Sequence, residues 1–170
     1  AEEKRTGTLE VLLTKPLSEW QIVFAKFLAG LSLVAIALLP TLVYYYSVYQ
    51  LGLPRGNIDA GGMWGSYIGL LFLGGSFVAI GLFASSLTDN QIISFILAAL
   101  LSAFAYTGFE LLASFDLFGR VDLFLQSLGI RHHYISLSRG VVDSRDVLYF
   151  LSFTAIMLLL TKISLESRKW

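Results

Sequence analysis

Three runs of the chain hold no Asp, Glu, Lys, Arg or His: Phe27 to Pro54 (28 residues), Ala60 to Thr88 (29 residues) and Asn90 to Phe109 (20 residues). The hydrocarbon core of a bilayer is about 30 Å thick and takes about 20 residues of helix to cross. Each run therefore predicts a transmembrane helix. A fourth run, Val147 to Thr161, has 15 such residues. Lys162 extends it by carrying its charge to the headgroups on an apolar stem, and Ile163 and Leu165 continue the apolar face. The runs are unbroken rather than alternating in ten-residue segments, which excludes a β-barrel. The expected fold is all-α, a polytopic membrane bundle with spans at about 19–49, 62–87, 90–112 and 146–164.

Local signals refine this outline. Ser18 with Gln21 three residues on has the spacing of a capping box and starts the first span. Pro40 removes one backbone hydrogen bond and predicts a bend over Ala37 to Thr41. Gly61, Gly65 and Gly69 share one helical face, so the second span is expected to admit a close neighbour there. The polar stretch Ser85 to Gln91 is short enough to force an antiparallel hairpin. Leu111 to Asp146 is longer and mixed, with Leu117, Val121, Phe124 and Leu128 at helical spacing. It reads as one or two short amphipathic helices at, or dipping into, the interface, with Asp143 capping the last span.

Composition agrees with a membrane chain and removes several functions. Of 170 residues, 56% are apolar and 14% charged, against roughly half and a quarter in soluble domains. The mean hydropathy is +0.73. Twelve basic and twelve acidic residues cancel, so no nucleic-acid footprint is expected. Cysteine is absent, which removes disulfides and thiolate chemistry. Tyr44, Tyr45, Tyr46 and Tyr49 fit one membrane interface and Trp20 the other. Placing both chain ends in the cytoplasm puts seven Lys and Arg there (Lys4, Arg5, Lys15, Lys26, Lys162, Arg168, Lys169) against five opposite. That orientation is favoured by a small margin.

Candidates for chemistry are few. Glu110 ends the third span; a carboxylate at mid-membrane depth would cost about 2.5–3.5 kcal/mol, so an interfacial place is expected, with a gating role if it faces the bundle. His132 and His133 are adjacent and would point about 100° apart on a helix, which is not the i, i+4 pair of a zinc helix. No metal site is expected. The chain has no Gly-x-x-x-x-Gly-Lys-Ser/Thr loop to cradle a nucleotide. Glu2-Glu3 with Arg5 departs from the EExxxR pattern of intramembrane proteases. An intramembrane enzyme built on Glu110 with His132 or His133 remains one alternative; a membrane anchor or scaffold subunit is another.

The stretch before the first span is the most informative. Thr8 can cap a helix of about two turns in which Leu9, Leu12 and Leu13 share a face and which Pro16 ends. Such an element is too short to stand alone and must pack on the membrane, the bundle or a partner. The sequence from Glu2 through Gly7-Thr8-Leu9-Glu10-Val11-Leu12-Leu13-Thr14-Lys15-Pro16 to Ser18, followed by Gln21 and Lys26, resembles the cytoplasmic loop of ABC type 2 permeases. His133 to Asp146 is similar to the external segment that leads into that family's final helix.

The resemblance covers essentially the whole chain, and its nearest variant is the gliding-motility-associated permease. It implies a permease subunit of an ATP-driven exporter in the bacterial cytoplasmic (inner) membrane, with no catalytic residue of its own. Residues 1–17 would be the cytoplasmic coupling loop, 18–165 the membrane domain with an external loop at 113–145, and 166–170 a cytoplasmic tail. Arg5, Gly7, Thr8, Leu9, Glu10, Leu13, Lys15 and Pro16 would face the ATPase. ATP and magnesium would be bound by a partner nucleotide-binding subunit, and the permease would pair with a second copy or a related permease. The family has six spans, so the chain is expected to lack the first two.

Overall fold

The computed structural model describes residues 1–2, 6, 18–115 and 120–167, with the side chains of Arg120 and Val121 excepted. Among these residues there are helices and no strand. Four helical stretches are long and apolar enough to cross a membrane: Glu19–Leu51, Ala60–Leu87, Gln91–Ser114 and Ser144–Glu166. The first comprises α1 (Glu19–Leu38), a 3-10 turn (Leu39–Thr41) and α2 (Leu42–Leu51). The second is α3 (Ala60–Leu87). The third comprises α4 (Gln91–Ala103), a π-helical turn (Phe104–Gly108) and α5 (Phe109–Ser114). Two short helices, α6 (Arg120–Leu128) and α7 (Ile130–Ser138), precede α8 (Ser144–Glu166).

A polar side chain starts each span by accepting from the exposed amides of its first turn, which hydrocarbon would leave unsatisfied. Ser18 accepts from Gln21 N–H while the Gln21 side chain accepts from Ser18 N–H, a complete capping box. Asp59 accepts from Gly62 N–H, Asn90 from Ile92 and Ile93, and Asp143 from Arg145. Successive spans reverse direction. Ser18, the Thr88–Asn90 turn and Glu166 therefore share one end of the bundle, here the terminal end. The 52–59 connection and the α6–α7 hairpin share the other, here the hairpin end.

Pro40 falls in the 3-10 turn, and the local ladder explains why the helix does not break there. Proline offers no N–H to the Ile36 carbonyl. Leu39 N–H takes up that carbonyl together with Ala35, and Leu42 N–H moves on to Leu39 and Pro40. The Leu38 carbonyl also accepts from Thr41 Oγ1 at 2.6 Å, and Thr41 Oγ1 meets Tyr67 Oη of α3 at 2.7 Å. Thr41 has one proton, so the Tyr67 hydroxyl donates across the helices. The expected irregularity is thus present and is fastened to α3.

Helix α3 is the hub: α1, α4, α7 and α8 all pack on it. Its notches decide where they sit. A Cβ on Gly74 would lie 2.6 Å from Val34 Cγ1, and one on Gly30 2.6 Å from Val78 Cγ1. Each glycine receives the other helix's valine, as an antiparallel knob-and-notch pair requires. On another face of α3, Ile80, Ala105, Ile130, Leu137 and Phe150 form a buried cluster joining α3, α7, α8 and the π turn. A smaller cluster, Val23, Ala79 and Leu158, joins α1 and α8 to α3 toward the terminal end.

The closest approach is at the hairpin end, where the turn after α7 lies on α3. A Cβ on Gly65 would come within 2.4 Å of the Gly140 carbonyl oxygen, and one on Gly69 within 2.8 Å of Leu137 Cβ. Gly140 has φ +82°, and a Cβ there would stand 2.1 Å from Gly62 Cα. Ser66 Oγ shares its proton between the Gly62 and Ser138 carbonyls at 2.8 and 2.9 Å. The contact face is therefore Gly62, Gly65 and Gly69. Gly61 stands apart, its added Cβ meeting only Asp59 Oδ1 at 3.4 Å.

These contacts make graded substitutions informative. Gly65→Ala and Gly140→Ala force backbone apart, and each is expected to lower unfolding stability by about 1–3 kcal/mol. Gly81→Ala, with nothing within 4 Å of its added Cβ, is expected to be neutral or to raise stability by up to about 1 kcal/mol. Thermal unfolding of the three variants in one detergent, scored by circular dichroism, gives the order.

Candidate functional site at the hairpin end

The polar groups of the membrane domain converge on α6, α7 and the start of α8. At the centre is Asp146, 8% exposed in the first turn of α8. Its Oδ1 meets His133 Nδ1 at 2.7 Å, and Ser136 Oγ donates to its Oδ2. His133 and Ser136 lie three residues apart on one face of α7. The other ring nitrogen, Nε2, lies 2.9 Å from the Ser127 carbonyl of α6. A carbonyl can only accept, so Nε2 carries a proton. The imidazole stacks on Tyr149 with ring centroids 3.9 Å apart, and Tyr149 Oη donates to the Leu128 carbonyl at 2.6 Å. The last four carbonyls of a helix lack intrahelical partners, and these bonds occupy two of those at the end of α6. The cluster pins three helices together.

The arrangement does not activate a nucleophile. In a hydrolytic triad the imidazole stands between the hydroxyl and the carboxylate. Here the carboxylate stands between, with Ser136 and His133 on different oxygens. The order of groups suits a structural clasp.

Glu110 belongs to a second cluster. It is the second residue after the π turn, which widens the helix by one residue and turns what comes after by about 100° relative to an uninterrupted α-helix. Within that turn Thr107 Oγ1 donates to the Ala103 carbonyl at 2.9 Å, and Phe104 lies over Gly108. The Glu110 carboxylate pairs with Arg131 of α7, both side chains close to half exposed. They line a polar pocket of about 100 Å³ with Tyr106, Gln126 and His132. Glu110 and His132 thus share a pocket, whereas His133 is turned into the Asp146 clasp. Burial, and then the neighbouring Tyr106 phenol, push Tyr134 of α7 above the ordinary tyrosine value, so its hydroxyl stays neutral near pH 7.

Helix α6 presents an apolar face outward, the sense an amphipathic helix at the membrane interface requires. Phe124 is 62% exposed and Leu123 is also exposed, whereas Asp122 is only 7% exposed. In a lipid setting this is the favoured sense, with apolar side chains toward hydrocarbon and polar groups inward. Both carboxylate oxygens of Asp122 are buried without a hydrogen-bond partner.

Of the residues singled out from the sequence, Pro40, Gly65, Gly69 and Glu110 occupy the contacts above, and Gly61 does not join them. Arg5, Gly7, Thr8, Leu9, Glu10, Leu13, Lys15 and Pro16 lie outside the described residues. Sequence reasoning missed Asp146, Ser136, Gly62 and Gly140. The one available signal was the pairing of His133 with Ser136 at helical spacing next to an acidic helix start. Among the described residues no group of three His, Cys, Asp or Glu is placed to hold a metal.

The two clusters predict unequal costs. Asp146→Ala leaves the buried Nδ1 of His133 and the Ser136 hydroxyl without their partner and is expected to cost about 3 kcal/mol of stability. Arg131→Ala breaks a half-exposed pair and is expected to cost less than about 1 kcal/mol. Equal losses in chemical unfolding of the two variants would remove the clasp reading.

The comparisons with known proteins come to one match. The family described as ABC-2 family transporter protein matches residues 1–169. Searches of curated proteins and of solved structures return no match. The match takes in the stretch before the first span, all four spans and the α6–α7 hairpin. A multi-pass helical membrane chain matched over nearly its full length is a membrane component of a transporter, and this chain belongs to the ABC-2 transporter family.

Proposed function

We propose that the chain is the permease subunit of an ATP-driven exporter, coupling ATP hydrolysis in a separate nucleotide-binding subunit to passage of substrate across the membrane. The observation that carries this reading is the family match from residue 1 onward, which includes the Gly7–Pro16 stretch. That stretch leads into Ser18 at the terminal end of the bundle. The Thr88–Asn90 turn lies at the same end, and Ser164 Oγ of α8 donates to the Ser86 carbonyl there at 3.2 Å. A subunit gripping residues 5–16 would act on α1, α3 and α8 together.

On this reading ATP and magnesium stay with the partner ATPase, and the permease pairs with a second copy or a related permease. The terminal end faces the cytoplasm of a bacterium and the α6–α7 hairpin faces outward. The finer resemblance to the gliding-motility permeases supports a link of the transporter to that system. Motion follows from packing: α3 is held to α1 by the Gly30–Val78 and Val34–Gly74 notches, to α7 at Gly69 and to the turn after α7 by backbone contact at Gly65. A tilt imposed at the terminal end therefore reaches the hairpin through a stiff element.

In the full complex reconstituted in vesicles, replacing Gly7 or Glu10 is expected to lower transport-coupled ATP hydrolysis by about tenfold, the loss of one good interface contact. Membrane insertion should be unchanged. Unaltered coupling in both variants, or purification from native membrane without a nucleotide-binding subunit, would overturn the proposal.

A further inference from the structure

Both nitrogens of the His133 ring face oxygen: Nε2 lies 2.9 Å from the Ser127 carbonyl and Nδ1 2.7 Å from Asp146 Oδ1. At these separations each contact needs a hydrogen between its atoms. A neutral imidazole has one N–H, and the Ser127 carbonyl, which can only accept, takes it. The contact between Nδ1 and Oδ1 then needs a second proton. Ser136 does not supply it, because its single hydroxyl proton serves Oδ2 of Asp146 and the His133 carbonyl at 3.1 Å. The second proton sits either on the ring, opposite a carboxylate, or on the carboxyl, opposite a neutral ring. The count is the same in both: the closed clasp holds one proton more than a neutral imidazole beside a carboxylate.

We propose that the clasp is a proton-held latch joining α6, α7 and α8, closed while His133 and Asp146 share that proton and opened when it leaves to water. Without it, Nδ1 and Oδ1 turn lone pairs toward each other and the contact fails. Moving the remaining proton to Nδ1 would repair that contact only by turning a bare Nε2 to the Ser127 carbonyl, so the ring gives up either α6 or α8. The two side chains are 16% and 12% exposed, which lets the proton exchange with water. The contact of Gly140 with Gly65 of α3 involves no ionisable group and stays in place. Opening therefore loosens the hairpin from within, and this holds whether or not the chain couples to an ATPase.

The surroundings leave few other groups to set the pH response. Helices α3, α6 and α8 and the π turn pack on α7. Helix α3 carries no charged residue, and its one tyrosine, Tyr67, meets Thr41. The π turn brings Tyr106 against Tyr134. Helix α6 carries Arg120 and Asp122, and Asp122 makes no hydrogen bond. Helix α8 brings Tyr149 onto the ring face, with Arg145 next to Asp146 in sequence. On α7 itself Arg131 is paired with Glu110, Arg139 follows the last turn, and the His132 ring stands edge-on to His133 with centroids 5.3 Å apart. Histidine is the residue type among these that ordinarily titrates near neutral pH. The test is therefore made in a His132→Gln background, which leaves one histidine in the chain.

The full chain is unfolded chemically in one detergent between about pH 6.5 and about pH 8.5. Above about pH 6.5 the unfolded chain gives up its histidine proton while the closed clasp keeps one, so stability is highest at the acid end and falls as the pH rises. The unfolding constant is expected to rise by up to about tenfold per pH unit until the clasp itself lets go. Asp146→Asn is expected to flatten this profile, because an amide donates to a bare Nδ1 and accepts from Ser136, which closes the clasp around a neutral ring. His133→Gln, which removes the titrating ring, should flatten it too and serves where Asp146→Asn does not fold. A flat profile in the His132→Gln parent would overturn the latch. So would a slope that persists equally in both variants.

Discussion

Hydrocarbon gives two apolar helices little reason to leave lipid for each other, so this bundle rests on how closely other backbones can approach α3. The approach is made by removing side chains. Gly74 admits Val34, Gly65 admits the Gly140 carbonyl, and Gly69 admits the Leu137 side chain. Close contact brings many weak dispersion attractions into range at once, each only about 0.1–0.2 kcal/mol. It also brings polar groups together, as with Ser66 between the Gly62 and Ser138 carbonyls. The remaining spans are placed by reference to α3.

The α6–α7 hairpin solves a different problem. A short helical pair must satisfy the carbonyls at the end of α6. The clasp around Asp146 serves this, since His133 and Tyr149 reach the Ser127 and Leu128 carbonyls while His133 and Ser136 occupy the carboxylate. Leu123 and Phe124 are then free to face outward. Polar inside and apolar outside is the reverse of a water-soluble hairpin, and it follows from the solvent.

Much of this fold was legible because the bilayer imposes a length on the sequence. Runs of charge-free residues marked the spans, and Ser18 with Gln21 marked the first helix start. The fourth span shows how a short run is completed: Lys162 lies 5.5 Å over the Trp20 ring and pairs with Glu166 at 2.9 Å, which lets the helix continue to Glu166. The glycine face was only partly legible. Helical spacing picked out Gly61, Gly65 and Gly69, but which glycine is used depends on where a backbone turn more than seventy residues away comes to rest. That turn needs Gly140 in a left-handed conformation and meets Gly62 rather than Gly61. The clasp was less legible still. No local pattern ties His133 to Asp146, because their meeting is set by the angle between α7 and α8 and by the turn at Gly140.

The same geometry bears on how the membrane domain could move. A glycine contact is stiff, since a backbone has no side-chain rotamers with which to yield. Such contacts hold α3 both to α1, at Gly30 and Gly74, and to the turn after α7, at Gly65. On the permease reading, a push at the terminal end would move α1, α3 and α7 as one body, with the clasp at Asp146 carrying the start of α8 along with the hairpin.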